Sequence, residues 1–348
     1  MSPSALHAAI RRLAAGQHLS ADDAAQAFDV IMRGDATASQ VAALLIGLRV
    51  KGETADEVAG VARALRRAMV RLPAPEPERL VDTCGTGGGT LQTFNISTAA
   101  GLLAAGAGIR VAKHGNRSFT SKSGSADVLE ALGVAIEAPV ETMTRALAQA
   151  GIVFMFAPLM HPAMRHVGPV RRELAIPTVM NIVGPLANPA GAGRQVIGVA
   201  ESTRMPLIAG ALVALGTRHA LVVHGEPGMD ELSPLGPTRV LEVRDGETRE
   251  WTLDPRDVGF RDIAAADLAG GSPGENAAIV EQVLAGGGPR GARAAVILNA
   301  AAALYVGGAA RSIGEAVPIV TAALEAGEGA AALRRLRTAY TAKGANGG

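Results

Sequence analysis

Residues 79–106, RLVDTCGTGGGTLQTFNISTAAGLLAAG, contain the segment that decides the fold. An apolar run, RLVDTC, is followed by four glycines in five positions and then by the small and apolar residues of STAAGLLAAG. The segment therefore predicts a strand, a glycine-rich turn and a helix. Glycine permits positive φ and has no Cβ, so successive backbone N–H groups can converge on an anion at the helix N-terminus. We expect a phosphate or diphosphate to bind there.

The chain around this segment alternates between helical stretches and short apolar runs. Helical stretches separate short apolar runs, namely RLVDTC, IRVAK, IVFMF, RQVIGV and HALVVH. This alternation predicts βαβ units and a central, mainly parallel sheet flanked by helices. In such a sheet, ligands bind beyond the carboxyl ends of the strands, where the glycine turn falls. Farther on, VLEVRDGETREWTL places Asp-Gly between alternating runs and predicts a hairpin.

The first 72 residues read as helices only. Ser20, Thr37 and Thr54 stand at helix starts as capping residues, and prolines at 73, 75 and 77 indicate a linker. The predicted fold class is α/β, with a small all-helical domain and a larger α/β domain. We expect the helical domain over residues 1–72, joined in space by about 161–188, the α/β domain over 78–160 and 189–342, and a disordered tail over 343–348.

Composition limits the possible partners and the compartment. Lys plus Arg (33) nearly cancel Asp plus Glu (32), so the net charge of +1 provides no broad field for nucleic acid or an anionic membrane, and we expect neither partner. The single cysteine, Cys84, excludes an intramolecular disulfide. The first residues lack a signal-peptide pattern, so we expect a cytoplasmic protein. The longest apolar stretch is interrupted by Asn299 and predicts a buried helix.

The glycine loop does not match the two commonest phosphate signatures. Thr90 stands where the dinucleotide fingerprint needs glycine, and no GK[ST] follows as in the ATP-type loop. Asn95, Ser97 and Thr98 add polar groups within reach of the same ligand. A tight structural turn is the alternative, and these polar neighbours weigh against it. Another class of phosphate site is therefore needed.

A second loop has a similar character. KHGNRSFTSKSGSADVLEALG, residues 113–133, follows the predicted strand IRVAK and brings cations at Lys113, Arg117 and Lys122 among five hydroxyl groups. Lys and Arg beside hydroxyls and free amides form charge-assisted bonds to phosphate oxygens. A solvated charged loop would explain this segment alone. Two anion-suited loops at successive strand ends are the stronger indication.

Two further segments carry candidate ligands. Asp230 and Glu231 follow the strand HALVVHG, and adjacent carboxylates suit Mg²⁺, which usually accompanies a diphosphate; an exposed turn is the alternative. Arg165, Arg171 and Arg172 flank a Gly-Pro turn, where one guanidinium could bind a carboxylate substrate. The alternative for the arginines is a solvated basic helix face.

Five motifs, in this order and spacing, resemble the anthranilate phosphoribosyltransferase family of tryptophan biosynthesis: GTGGGTLQTFNIST, KHGNRSFTSKSGSADVLEALG, HPAMRHVGPVRREL, NIVGPLANP and DELSP. The resemblance covers about residues 5–340. It implies a helical domain joined to an α/β domain, a homodimer, and a Mg²⁺-dependent transfer of phosphoribosyl from 5-phosphoribosyl diphosphate (PRPP) to anthranilate. The implied products are N-(5-phosphoribosyl)anthranilate and diphosphate.

The resemblance also implies roles for individual residues. Those implied to contact PRPP are Gly85, Gly88, Gly89, Thr93, Asn95, Ile96, Ser97, Thr98, Lys113, His114, Gly115, Asn116, Arg117, Ser118, Phe119, Thr120, Ser121 and Ser125. Mg²⁺ would be held by Ser97, Asp230 and Glu231. Anthranilate would meet Gly85, Asn116 and Arg171, with Arg171 at its carboxylate. Lys113, Asn116 and Arg171 would be the catalytic residues.

The chain departs from the family pattern at two positions. The family usually has aspartate at Gly89 and a smaller residue at Phe119. We expect altered Mg²⁺ dependence from the first change, and from the second either a narrower donor loop or a restricted acceptor. Three alternatives stay open: the same donor with a substituted anthranilate, a pyrimidine nucleoside phosphorylase, whose KHSTGGVG-type loop is absent, and a non-catalytic nucleic-acid-binding relative.

Overall fold

The computed structural model describes residues 4–118 and 122–341. The described chain begins with four helices: α1 (Ala5–Ala14), α2 (Ala21–Met32), α3 (Ala38–Lys51) and α4 (Ala55–Ala68). Their predicted caps are present, since Thr37 and Thr54 form capping boxes with Gln40 and Glu57, and the Ser20 hydroxyl accepts a hydrogen bond from an amide of the first turn of α2. These bonds satisfy amides that have no partner within the helix, so α2, α3 and α4 begin where the sequence predicts.

A seven-stranded sheet forms the centre of the molecule. Its strands are β1 (Val81–Gly85), β2 (Val111–Gly115), β3 (Ile152–Phe156), β4 (Arg194–Gly198), β5 (His219–Gly225), β6 (Thr238–Arg244) and β7 (Glu247–Leu253). The spatial order is β3-β2-β1-β4-β5-β6-β7, with the first five parallel and the last two antiparallel. Asp245 and Gly246 form the turn of the β6–β7 hairpin with positive φ values of 49° and 88°. The predicted mainly parallel sheet and the hairpin are confirmed.

Ten further helices cover the sheet in the described part of the chain. They are α5 (Ile96–Gly106), α6 (Ser125–Ala131), α7 (Val140–Ala150), α8 (Ala157–Met160), α9 (Gly168–Leu174), α10 (Met205–Ala214), α11 (Pro273–Leu284), α12 (Arg290–Gly307), α13 (Ile313–Glu325) and α14 (Glu328–Thr341). The apolar stretch around Asn299 is the buried helix α12, as predicted. No single described helix is long and apolar enough to cross a membrane; α13 and α14 pass that test only together, and they are bent by 67°.

Two apolar cores lie on opposite faces of the sheet. Successive side chains along a strand point to opposite faces, so Val196 and Leu221 belong to one core and Ile197 and Val222 belong to the other. The first core contains α5, α12 and α14. The second contains α1–α4, α10 and the apolar residues of 167–187. The helical unit therefore packs on one sheet face together with the segment 161–188, while the division into domains stays a prediction and the tail 343–348 lies outside the described residues.

The order of the strands fixes the ligand-binding edge. The chain runs outward from β1 through β2 to β3, and then starts β4 on the other side of β1. Such a reversal opens a crevice beyond the carboxyl ends of the two strands that flank it. The glycine segment leaves the carboxyl end of β1, so the fold places it at this crevice.

Candidate active site

The glycine loop (residues 86–95) contacts the acidic loop (residues 226–237), which connects β5 to β6. The Gly87 amide donates to Oδ2 of Asp230 at 3.0 Å. The Thr90 amide donates to the Gly228 carbonyl at 3.0 Å, and the Thr90 hydroxyl donates to the Pro227 carbonyl at 3.1 Å. These bonds join residues 137–143 positions apart in sequence, so the structure brings the predicted phosphate loop and the acidic doublet together.

The close contact of the two loops explains why glycine is needed. A Cβ at Gly85 would lie 2.6 Å from Oδ2 of Asp230 and would force that carboxylate away from the Gly87 amide. Gly87 and Gly88 have positive φ values of 68° and 86°, which favour glycine. The amides of Gly88 and Gly89 make no hydrogen bond to any residue within 4–118 or 122–341, so both can serve an anion.

Lys113 reaches under the glycine loop from β2 and is only 2% exposed. Its Nζ donates to the Thr83 carbonyl and, at 3.3 Å, to the Ser97 hydroxyl. Burial lowers the pKa of Lys113, and the charges of Asp82 and Glu231 oppose this effect. The ammonium is therefore held inside the crevice, beside one of the two predicted metal-binding carboxylates.

Ser97, Asp230 and Glu231 line one small cavity, together with Thr83 and Cys84. Burial raises the pKa of Glu231 well above its usual range, and the charge of Asp230 raises it further. Burial also raises the pKa of Asp230, although the Gly87 amide partly offsets this. Burial and mutual repulsion make it unfavourable for both neighbouring carboxylates to be ionised. A bound cation would offset this cost, so the pair is suited to bind one.

The donor set of this cavity fits Mg²⁺. No group of three or more His, Cys, Asp or Glu side chains that could hold a metal is found among the described residues. Two carboxylates and the Ser97 hydroxyl supply only oxygen ligands and leave positions for water and substrate oxygens. Mg²⁺ is bound in this way, through one or two carboxylates plus a substrate phosphate.

The lysine loop (residues 116–125) is anchored by Asp127 of α6, which the sequence did not single out. One oxygen of Asp127, Oδ2, accepts from the amides of Ser118 at 3.1 Å and Gly124 at 2.8 Å, one on each side of the undescribed residues. The predicted donor contacts of Phe119, Thr120 and Ser121 lie outside the described residues.

The side chain of Arg117, which the sequence suggested as a cation for the donor phosphates, is paired with carboxylates of α6. Its guanidinium pairs with Asp127 at 3.1 Å and with Glu130, and it lies 5.5 Å from the ring centroid of Phe156. In the described structure the cation is therefore paired with two carboxylates, and its contact with the donor stays a prediction. Sequence reasoning missed this pairing, because the partners lie on the next helix.

Asn95 joins the glycine loop to the lysine loop. Its Nδ2 donates to the Ser123 carbonyl at 3.1 Å, and the Ser123 hydroxyl donates to its Oδ1 at 3.1 Å. The same Oδ1 accepts from Asn276 of α11 at 2.9 Å. Asn276 is another residue that sequence reasoning missed, and it fixes both loops to the helical layer.

Three other residues predicted to contact PRPP are Thr93, Ile96 and Thr98, at the end of the glycine loop and in the first turn of α5. The side chains of Ile96 and Thr98 are 0% and 1% exposed, because this face of α5 turns into the core. The buried Thr98 hydroxyl has no hydrogen-bond partner within the described residues, and the donor contacts of both residues stay predictions. Thr93 is half-buried and bridges Ala269.

Gly115 and Asn116 lie against the start of α6. A Cβ at Gly115 would lie 2.1 Å from the hydroxyl oxygen of Ser125, so glycine is required there. The Ser125 hydroxyl donates to the Asn116 carbonyl at 3.4 Å. The carboxamide oxygen of Asn116 accepts from the Arg117 amide at 2.8 Å, which leaves its NH₂ group for a substrate.

Two imidazoles lie beside the lysine loop. The ring centroids of His114 and His161 are 4.9 Å apart. Burial lowers the pKa of His114 to about 3 and that of His161 to about 4, so both rings are neutral near pH 7. Their buried Nε2 atoms make no hydrogen bond within the described part of the chain. His161 was not predicted as a site residue, although it opens the quoted motif HPAMRH.

The three predicted arginines separate in the structure. Arg171, on α9, is half-buried, and burial lowers its pKa. Its guanidinium has no ion pair with any described residue, as a carboxylate-binding group requires. Arg165 lines a cleft of about 420 Å³ between α2, α4 and residues 162–166, and no described residue of the glycine or lysine loop lines this cleft. Arg172 is exposed.

Family models match both parts of the chain. A model described as "Glycosyl transferase family, a/b domain" matches residues 77–331, and one described as "Glycosyl transferase family, helical bundle domain" matches residues 7–69. The fold and the site thus define a class of glycosyl transferases that combines these two domains.

Individual relatives narrow this class. An anthranilate phosphoribosyltransferase of Rubrobacter xylanophilus is 50% identical over 330 residues, which are 95% of this chain and 96% of that protein. The crystal structure of anthranilate phosphoribosyltransferase from Thermus thermophilus has a TM-score of 0.90 at 42% identity and covers 96% of this chain and 99% of its own. The Saccharomyces cerevisiae enzyme in complex with PRPP and Mg has a TM-score of 0.87 at 27% identity and covers 98% and 99%. The chain belongs to the anthranilate phosphoribosyltransferase family.

Proposed function

We propose that this protein is an anthranilate phosphoribosyltransferase: it transfers the 5-phosphoribosyl group from PRPP to the amine of anthranilate, with Mg²⁺, and releases diphosphate. The observation that carries the proposal is the hydrogen bond from Gly87 in the glycine loop to Asp230 in the acidic loop, with Lys113 beneath both. Amides, an ammonium group and carboxylates thereby surround one crevice. A magnesium-bound diphosphate has the charges that this arrangement complements.

In the proposed reaction, the bond from ribose C1 to the diphosphate oxygen breaks as the amine nitrogen bonds to C1, and the cationic nitrogen then loses a proton to water. Positive charge builds on the sugar and negative charge on the leaving group. The Gly88 and Gly89 amides and Lys113 stabilise the leaving group, because fixed dipoles act where charge develops. Mg²⁺, held by Asp230, Glu231 and Ser97, supplies further positive charge when bound.

The acceptor site is proposed around Arg171, Asn116 and Gly85. The guanidinium of Arg171, which forms no ion pair within the described residues, binds the anthranilate carboxylate, and the Asn116 carboxamide orients the amine. An aromatic amine attacks as a neutral group, so no general base is assigned. Catalysis then comes mainly from positioning the two substrates, which contributes up to about 7–11 kcal/mol in well-oriented systems.

The test is the loss of anthranilate fluorescence in the presence of PRPP and Mg²⁺. We expect turnover by the natural protein and a loss of about 100-fold or more in Lys113→Met, because a single preorganised donor is worth this much. Lys51→Met is the matched control. Lys51 is also buried, but it pairs with Glu57 in the helical unit at 2.9 Å, so its removal should lower stability and spare turnover.

The open alternatives are tested in the same experiment. Substituted anthranilates, offered as a panel, show whether the acceptor pocket prefers an analogue. Thymidine with inorganic phosphate tests phosphorolysis, and filter binding at low salt tests nucleic-acid affinity. A chain that converts no anthranilate but gives a signal in one of these assays would refute the proposal.

We also propose a homodimer formed through the helical part, and a cytoplasmic location. Val50 of α3 is 81% exposed and Ile176, which follows α9, is 45% exposed; α3 and α9 pack together. These exposed apolar side chains support a contact between two copies. Light scattering after gel filtration tests the dimer, since a single-chain mass would exclude it. The single cysteine suits a reducing compartment such as the cytoplasm.

A further inference from the structure

Asn299 is a buried polar residue in the middle of α12. It is 5% exposed and lies among alanines and larger apolar side chains that fill the first core. A carboxamide in apolar surroundings costs free energy unless its donors and acceptor are paired. The partners of Asn299 therefore indicate what this residue does.

Outside its own helix, Asn299 binds one of the described residues, Leu232. Its Oδ1 accepts from the Leu232 amide at 3.0 Å, and its Nδ2 donates to the Leu232 carbonyl at 2.9 Å. A second bond of Nδ2, to the Ala295 carbonyl at 2.9 Å, fixes the carboxamide against α12. The two bonds therefore hold the peptide groups on both sides of Leu232, the one that joins it to Glu231 and the one that joins it to Ser233.

This contact lies directly beside the acidic doublet. Asn299, Asp230 and Glu231 line the same small cavity as Ser97. On its other side, the acidic loop is held to the sheet edge, since the Ser233 amide donates to the Thr238 hydroxyl at 2.9 Å and the Gly225 amide donates to the Met229 carbonyl at 3.0 Å. Asn299 adds a rigid attachment to the helical layer at the residue after the carboxylates.

We propose that Asn299 is a positioning residue for the divalent cation: through the Leu232 backbone it holds Asp230 and Glu231 where they can bind the metal together with the diphosphate. The inference rests on the proposed function, which assigns the metal to these two carboxylates. The carboxamide of Asn299 is bonded to backbone groups of Leu232 and Ala295, so it would act on the metal site through Leu232. Its contribution is the fixed backbone between the two loops and α12.

The test compares Asn299→Leu, which keeps the branching and number of side-chain heavy atoms and removes the bonds, with Asn299→Ala, which suits the alanine-rich helix if the larger leucine does not fit. Mn²⁺ binding is measured by electron paramagnetic resonance in the presence of PRPP, beside the unfolding temperature. We expect Mn²⁺ to bind about 10–100-fold more weakly in either variant, as when a supporting partner of a metal ligand is lost.

Tyr340→Phe is the matched control, because it removes a similar contact in the same core. The Tyr340 hydroxyl accepts from the Phe154 amide at 3.1 Å and donates to the Phe154 carbonyl, in β3. It should lower the unfolding temperature without changing Mn²⁺ affinity. Folded Asn299 variants that bind Mn²⁺ within twofold of Tyr340→Phe would overturn the inference. A natural protein that binds no Mn²⁺ with PRPP would instead overturn the proposed function.

Discussion

The carboxylate of Glu242 in β6 is a buried charge whose removal should destabilise the fold by a predictable amount. Its Oε1 accepts from His219 Nε2 at 2.8 Å and from the Tyr305 hydroxyl at 2.6 Å, and its Oε2 accepts from Trp251 Nε1 at 2.9 Å. Burial alone would raise the pKa of Glu242, but the three donors outweigh it and lower the pKa to about 2. The contact joins β5, β6, β7 and α12, which frame the acidic loop.

The magnitude follows from this pKa. A glutamate whose pKa falls from 4.5 to about 2 on folding contributes about 3 kcal/mol to the free energy of unfolding at pH 7. Because the folded pKa is depressed, this contribution is fully present above the unfolded pKa and is lost as pH falls toward the folded pKa. At pH 3 about 1 kcal/mol should remain.

The assay is urea denaturation of the natural protein and Glu242→Gln at pH 7 and pH 3, followed by circular dichroism. Glutamine keeps the shape and loses the charge, so the difference in unfolding free energy should be about 3 kcal/mol at pH 7 and about 1 kcal/mol at pH 3. Glu250→Gln is the control, because Glu250 pairs with Arg239 on the exposed surface of the same hairpin and should matter little. A difference below about 1 kcal/mol at pH 7, or one that does not shrink at pH 3, would refute the reasoning.

Three further predictions concern the site. Asp230→Asn keeps an acceptor for the Gly87 amide and relieves the repulsion on Glu231, so it should raise the metal-free unfolding temperature and cut Mg²⁺-dependent turnover about tenfold or more; full activity with lower stability would contradict this. Arg171→Leu should raise KM for anthranilate about 10–100-fold, since a bond to a charged group is worth about 1.5–3 kcal/mol, and leave KM for PRPP unchanged; an effect on kcat alone would argue against the carboxylate contact. Gly89→Asp would place its Cβ 3.3 Å from Oδ1 of Asp230, adding a third carboxylate, so the half-saturating Mg²⁺ concentration should fall, and an unchanged profile would mean that the position is silent.

Helices, strands and turns were predictable where neighbouring residues in the sequence determine them. The strand, glycine turn and helix of residues 79–106 follow from apolar runs and glycine placement. The caps at Thr37 and Thr54 follow from the residue three positions on, and the hairpin turn follows from Asp245 and Gly246. The meeting of the glycine and acidic loops was predictable only in outline, because both follow strands of one parallel sheet.

The supporting residues were not predictable, because their partners are distant in sequence. Asn276 binds Asn95 across 181 positions, and Asn299 binds Leu232 across 67. In the sequence, Asn299 only interrupts an apolar stretch. The fold is needed to show which backbone groups its carboxamide binds. The 1% exposure of Thr98 on α5 was not predictable either, because residue type alone does not show how deeply a helix face is buried.

The most direct test of the account is a crystal structure of the protein with Mg²⁺ and PRPP, which measures where the diphosphate lies. We predict diphosphate oxygens at the Gly88 and Gly89 amides, and a metal ion on Asp230 and Glu231 that also binds the diphosphate. A diphosphate bound elsewhere, for example in the arginine-lined cleft around Arg165, with no metal at the two carboxylates, would contradict it.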